Sequence, residues 1–283
     1  MRLARVGSVG QERPALVDDD MTIRDLSDIV VDWTPTTISA PSIQRISAID
    51  PRTLPVVAAP IRFGVPIKGI GKFLGIGMNY KDFAAAANRP LPAEPALFTK
   101  AISCLNGPDD DIVLPRASLQ TDWEVELGVV IGRTARCVER AEALEFAAGY
   151  TLVNDLSERS YQNDRGGTWD KGKGCDTFGP VGPWLVTADA VTDPQRIDLW
   201  LELNGERLQS GNTANMIFSV AELIAHVSQF MTLEPGDILT TGTPAGVGFA
   251  LKPPRFLKAG DSMRLGSQIL GTQQQTVREW KAT

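Results

Sequence analysis

From Phe73 onward, short apolar runs alternate with glycine and proline: FLGIG at 73–77, VELGVVIG at 125–132, YTLVND at 150–155, GPWLVT at 182–187, LWLEL at 199–203, GDILTTG at 236–242 and SMRL at 262–265. Runs of this length, bounded by turn-forming residues, predict strands. One segment carries a clear helical period instead. Ser219 and Glu222 form an S-x-x-E capping box, and Leu223, Ile224, Val227, Phe230 and Met231 make one apolar stripe of a helix over 220–231. A shorter helix is expected over Lys81–Asn88, where four alanines favour it. It follows Gly75-Ile76-Gly77 and is placed to serve as a movable lid. Many short strands with few helices predict a β-rich α+β fold.

The N-terminal part reads differently. Residues 2–32 suggest short strands around a turn at Asp18-Asp19-Asp20, and Pro41 opens a short helix. Pro51, Pro55, Pro60 and Pro66 then interrupt any continuous helix or central strand. These breaks place a domain boundary near residue 68, with a small β-rich N-terminal domain over 1–68 and a larger domain over 69–283.

Composition narrows the function classes. The chain has 283 residues, 43% of them hydrophobic and 22% charged, as in an ordinary globular protein. Its net charge is −6, and its basic residues are scattered, which argues against a nucleic-acid partner. No apolar run reaches the ~18 residues of a membrane helix and no signal-like segment opens the chain, so a cytoplasmic location is expected. Cys104, Cys137 and Cys175 lie far apart and suggest free thiols. The single histidine, His226, falls with Glu222 and Gln229 on the polar face of the 220–231 helix. Zinc sites and most acid–base dyads rely on imidazole, so this scarcity directs attention to carboxylates.

In Asp122-Trp123-Glu124-Val125-Glu126-Leu127, acidic and apolar residues alternate with the period of a strand, which aims the three carboxylates one way. By itself the pattern fits a solvated edge strand as well as a cation site. Asn154-Asp155, at the end of another apolar run, brings a further carboxylate to a strand terminus. An all-oxygen set suits Mg²⁺, Mn²⁺ or Ca²⁺ and disfavours zinc and copper. Gly69-Ile70-Gly71-Lys72-Phe73-Leu74-Gly75 misses the dinucleotide fingerprint by one residue, and Thr240–Gly248 lacks the Gly-Lys-Ser/Thr of a phosphate loop. The latter segment, with Gly242 and Thr243, is either a tight turn or a nest of N–H groups able to hold a carboxylate. Lys173, between glycines, and Lys100 are each placed to reach a ligand or to sit in solvent.

Together these segments resemble the fumarylacetoacetate hydrolase family over residues 70–270. The resemblance is carried by GIGMNY at 75–80, PALFTK at 95–100, DWEVELGVVIG at 122–132, GYTLVND at 149–155, Asn204-Gly205-Glu206 and TGTPAGVG at 241–248. The N-terminal segment, KGKGCDTFGPVGPWLVT at 171–187 and KPPRFL at 252–257 are further similar to bacterial members that cleave 2,4-dioxo-3-deoxy sugar acids. The resemblance implies a mixed β-sandwich roll with a small N-terminal domain, a homodimer, and Mg²⁺ or Mn²⁺ held by Glu124, Glu126 and Asp155. It implies Lys173 as the catalytic cation, and Gln162, Thr243, Gly242, Tyr80 and Lys100 as substrate contacts. Asp122 takes a supporting role. The expected reaction is hydrolysis of a C–C bond in a 2,4-dioxo acid through a metal-stabilised enolate.

One departure stands out. Hydrolytic members carry Asp-His-x-x-Glu after Asn-Tyr, and this chain has Asp82-Phe83-Ala84-Ala85-Ala86. Phenylalanine and alanine cannot take a proton from water. Glu94 and Asp82 are the nearest substitutes in sequence. Decarboxylation or keto–enol tautomerisation of a 2-oxo acid, and a non-catalytic oxo-acid binder, are therefore kept as alternatives. The apolar lid also suggests a bulkier or less polar substrate.

Overall fold

The computed structural model of the protein describes residues 1–282. Its main feature is a mixed nine-stranded sheet. In chain order its strands are β1 (Arg2–Val6), β2 (Arg13–Val17), β3 (Ile23–Asp25), β4 (Phe73–Gly77), β5 (Ala96–Lys100), β6 (Val125–Ile131), β7 (Ala147–Asn154), β8 (Leu185–Thr187) and, after a second sheet begins, Ile238–Thr240. The second sheet is built from β9 (Asp198–Leu203), β10 (Glu206–Asn212), β12 (Ser262–Ser267) and β13 (Gly271–Arg278), with Ile112–Val113 on its edge. Ile238–Thr240 is β11. The large sheet runs β3-β2-β1-β8-β7-β6-β11-β4-β5, antiparallel except where β11 meets β4.

Every residue of β6 and β7 is buried, which explains why their sequences are continuous apolar runs. The second sheet covers one face of this centre and is hydrogen-bonded to it: Gln273 Nε2 donates to the Leu152 carbonyl, and Asn154 Nδ2 donates to Gln275 Oε1. Helices are few and short: α1 (Ala40–Ser47), α2 (Lys81–Ala86), α3 (Arg159–Asp164), α4 (Asp170–Lys173) and α5 (Val220–Phe230). This is the β-rich α+β architecture expected from the chain's pattern of runs.

The proposed division near residue 68 separates segments that are joined in space. β1 pairs with β8 (Arg2 opposite Val186), so the N-terminal strands extend the large sheet. Behind them the Arg5 guanidinium is buried against Asp32 at 2.7 Å. No helix among the described residues is long and apolar enough to cross a membrane.

Helix α5 starts as its sequence predicts, with Ser219 and Glu222 capping each other's backbone N–H groups. Leu223, Ile224 and Val227 are buried, but Phe230 is 62% exposed and packs edge-on against His226 at 4.9 Å. Phe230 therefore falls off the apolar stripe, whereas Met231 is half-buried against the core. Ser219→Ala removes the acceptor for the Glu222 N–H and should cost about 1 kcal/mol of stability. Urea denaturation measures it, and an unchanged midpoint would show that water replaces the cap.

Candidate active site

The site forms where three neighbouring strands end together. In the antiparallel register of β6 and β7, Val153 faces Glu126 and Asn154 faces Val125. One step further, the Asp155 N–H donates to the Glu124 carbonyl, and the Glu124 N–H donates to Asn154 Oδ1 at 3.2 Å. On the other side of β6, β11 continues into Thr241, Gly242 and Thr243, whose Thr241 N–H donates to the Leu127 carbonyl. Glu124, Glu126 and Asp155 are thereby brought together from residues 31 positions apart in sequence at most. Each offers a carboxylate oxygen within 4.8 Å of the others. Oxygens on opposite sides of a cation bound at ~2.1–2.4 Å are about that far apart.

The sequence pattern predicts one strand through 122–127, and the structure interrupts it. Thr121–Asp122 belongs to a separate two-stranded pairing, and Trp123 and Glu124 bridge to β6. All three acids of the motif are nonetheless buried, and β6 is a central strand, so the solvated-edge alternative does not hold. Asp122 supports its neighbours: it accepts from the Gly248 and Phe249 N–H groups and from Arg159 Nε at 2.9 Å.

Four buried carboxylates require compensation, because desolvated charges are costly unless paired. Arg159 Nη2 lies 2.6 Å from Glu124 Oε1, and Lys173 Nζ bridges Glu124 Oε2 at 2.6 Å and Asp155 Oδ2 at 2.5 Å. Lys100 Nζ is 2.7 Å from Asp155 Oδ1 but aims its aligned donors at the Lys173 and Leu156 carbonyls. That leaves Asp155 Oδ1 buried with no aligned donor. Glu126 has no cation of its own. Its Oε2 accepts from the Gly242 N–H at 2.7 Å and from the Thr240 hydroxyl at 2.5 Å. An orphaned acceptor, three converging carboxylates and fewer protein cations than carboxylates are the features a divalent metal would satisfy. The residues present fit such an ion.

Ionisation follows from these contacts. Burial, then repulsion from Asp155 and Glu124, pushes the Glu126 carboxyl well above its ordinary value. Asp155 is held below its ordinary value, because attraction to Lys100 and Lys173 outweighs its burial. Lys173 and Arg159 are driven upward by their acidic neighbours against the opposing effect of burial and stay protonated.

The cluster forms the floor of a cavity of about 550 Å³. Of the residues expected at the site, Glu124, Glu126, Gln162, Lys173, Gly242 and Thr243 lie on its wall, and Asp155 lies fully buried beneath. Gln162 accepts from Arg159 Nη1 through Oε1, so its amide nitrogen remains as a donor. Gly242 has a φ of +93°, and a Cβ there would stand 2.8 Å from the Asn79 Cβ, so glycine is required for its N–H to reach Glu126. Tyr80 and Lys100 do not reach the wall. Both are fully buried behind it, Lys100 as the counter-charge of Asp155 and Tyr80 with an unpartnered hydroxyl raised by burial and by Glu126. Lys100 there pairs with Asp155 at 2.7 Å.

Arg159 and Phe249 escaped the sequence reading. Arg159 stands three residues before Gln162 on α3, and its guanidinium lies 4.6 Å from the Phe249 ring. The spacing of Arg159 and Gln162 four and seven residues after Asp155 was the available signal. His226 is remote, Glu94 is exposed, and Asp82 accepts from the Phe83 and Ala245 N–H groups. Among the described residues, no acid or imidazole other than Glu124 and Glu126 lines the cavity.

The fold is β-rich and its site gathers three buried carboxylates able to hold a divalent metal, and comparison with known proteins places the chain. Residues 72–278 match the fumarylacetoacetate (FAA) hydrolase C-terminal family. A Burkholderia ambifaria protein carrying a provisional hydrolase name is 56% identical over 279 residues, 98% of this chain and 99% of that one. Among solved structures, maleylpyruvate hydrolase from Sphingobium sp. SYK-6, in complex with manganese(II) ion and pyruvate, is 30% identical with a TM-score of 0.82, covering 99% of this chain and 100% of that one. The 2-hydroxyhepta-2,4-diene-1,7-dioate isomerase of Mycobacterium marinum is 31% identical with a TM-score of 0.76, and both chains are covered completely. The chain belongs to the fumarylacetoacetate hydrolase family, whose members named here include a hydrolase and an isomerase.

The raised Glu126 carboxyl gives the metal-free protein a signed pH dependence. Above the ordinary value of 4.5, an unfolded glutamate is ionised while the folded Glu126 still holds its proton. The folded state then binds more protons, so stability falls as pH rises through that window. Asp155, shifted the other way, loses its contribution only as pH falls through its lowered value. Urea unfolding of chelator-treated protein from pH 4.5 to 8 should show this decline, and Glu126→Gln should flatten it. Equal slopes in the two proteins would contradict the placement of Glu126.

Proposed function

We propose that the protein is a divalent-metal-dependent enzyme that cleaves a C–C bond in a 2,4-dioxo acid, an acylpyruvate or a 2,4-dioxo-3-deoxy sugar acid. The observation that carries this is the convergence of Glu124, Glu126 and Asp155 beside Lys173 at the floor of one cavity. These three carboxylates would hold Mg²⁺ or Mn²⁺, as the manganese in the maleylpyruvate hydrolase neighbour supports. A bound cation supplies Lewis-acid charge to the carboxylate and keto oxygens of a 2-oxo acid.

The chain's own residues supply the rest. Gln162 offers its amide nitrogen, and the Gly242–Thr243 turn holds Glu126 and closes the wall. Lys173, a permanent cation in a water-poor setting, adds positive charge where the enolate oxygen forms as the bond breaks. Lys100 positions Asp155, and Arg159 positions Glu124. We assign a homodimer, following the family resemblance.

A second reading rests on a specific observation: no base outside the metal ligands lines the cavity. Keto–enol isomerisation or decarboxylation needs the enolate but no activated water. Product analysis with Mg²⁺, on oxaloacetate and a panel of 2,4-dioxo acids, separates the readings. Pyruvate with a second carboxylic acid supports hydrolysis. Carbon dioxide or an isomer alone refutes it.

Lys173→Met should lower kcat by about 10²–10³-fold, the scale of losing one charged group at a developing oxyanion. Mn²⁺ binding, followed by electron paramagnetic resonance, should survive in this variant, and its loss would make Lys173 a structural residue only. Glu124→Gln should abolish Mn²⁺ binding. Calorimetry showing unchanged affinity would refute the ligand assignment.

A further inference from the structure

The cavity has two chemically distinct halves. Its floor carries Glu124, Glu126, Arg159, Gln162, Lys173 and Thr243. The remainder, from the floor to the mouth, is built chiefly by Met78, Phe83, Leu91, Pro92, Trp169 and Phe249. Phe83 and Phe249 pack edge to face on its wall, with ring centroids 6.0 Å apart. Trp169 lies against the backbone of Gly77, where a Cβ would come within 2.3 Å of the indole ring. Two of these apolar side chains remain open to solvent in this cavity: Leu91 is 58% and Phe249 36% exposed.

A hydroxylated chain entering this half would lose water and find few partners, because beyond the Trp169 indole N–H the polar side chains lining the cavity outside the floor are the exposed Asn163 and Arg89. An apolar group would instead cover Leu91 and Phe249 and gain from it. The one charge on this side, Arg89, sits on the exposed rim and forms no ion pair among the described residues.

We propose that the substrate is a 2,4-dioxo acid whose acyl tail is apolar, aromatic or branched, packed against Phe83, Leu91 and Phe249, rather than a polyhydroxylated sugar acid. This rests on the function proposed above and selects between its two substrate classes. Phe83 thus acts as a specificity-determining residue on α2.

The test uses full-length protein with Mg²⁺ and calorimetric binding of four probes. Oxalate reports on the floor alone. 2,4-Dioxo-4-phenylbutanoate, a chain-matched trihydroxylated 2,4-dioxo acid and a carboxylate-tailed one report on the tail. The phenyl compound should bind at least tenfold more tightly than either other tailed acid, and Phe83→Ser with Leu91→Ser should remove that advantage while oxalate controls for an intact floor. Tighter binding of the hydroxylated or carboxylate tail, or an advantage that survives the double substitution, would overturn the proposal. If oxalate shows no Mg²⁺-dependent binding to the wild type, the functional reading fails and this one with it. If oxalate binds and no tail is preferred, this one fails alone.

Discussion

Four carboxylates, Asp122, Glu124, Glu126 and Asp155, are buried at the end of the central strands, and much of the surrounding structure answers their charge. Taken from water without partners, each would cost several kcal/mol. Arg159 comes from α3, Lys173 from the end of α4 and Lys100 from the end of β5, so three separate elements converge on one strand terminus to supply cations. Glu126 receives a backbone N–H and a hydroxyl, while burial and repulsion from Asp155 and Glu124 push its carboxyl upward. The arrangement is electrostatically incomplete at one point, and that point lies at the cavity floor.

The same constraint explains why neighbouring segments have the form they do. Gly242 must adopt a left-handed conformation to aim its N–H at Glu126, and Asn79, fully buried, ties that turn to the entry of α2 by donating to the Thr241 and Phe218 carbonyls. Thr243 donates its hydroxyl proton to the Val125 carbonyl and accepts from Gln209 of β10. The second sheet therefore reaches the site through Gln209 on one side and through Gln275 and Asn154 on the other. A cluster of like charges is held rigidly by hydrogen bonds from both sheets, which is the preorganisation a metal site needs.

Function divides along the cavity. At the floor, permanent positive charge from Lys173 and the carboxylate triad suits enolate chemistry on a 2-oxo acid. Towards the mouth, Phe83 and Phe249 create an apolar environment. The carboxylates and the apolar wall are carried by different segments, the ends of β6 and β7 on one hand and α2 on the other, so one can change while the other is kept.

Much of this was legible in the chain itself. The apolar runs located the strands, the Ser219–Glu222 box located the start of α5, and the motifs around Glu124, Glu126 and Asp155 pointed to the family and to a metal. These are local signals: alternation, capping and short fixed spacings survive without knowledge of what lies opposite. What the chain could not show is burial and partnership across strands. Only the register of β6 against β7 decided that the acids of 122–126 are interior rather than solvated. Only packing placed Lys100 and Tyr80 behind the wall, set Arg159 against Glu124, and joined the N-terminal strands to the main sheet through β8. The energy of a buried charge depends on neighbours distant in sequence, and that dependence exists only once the chain has folded.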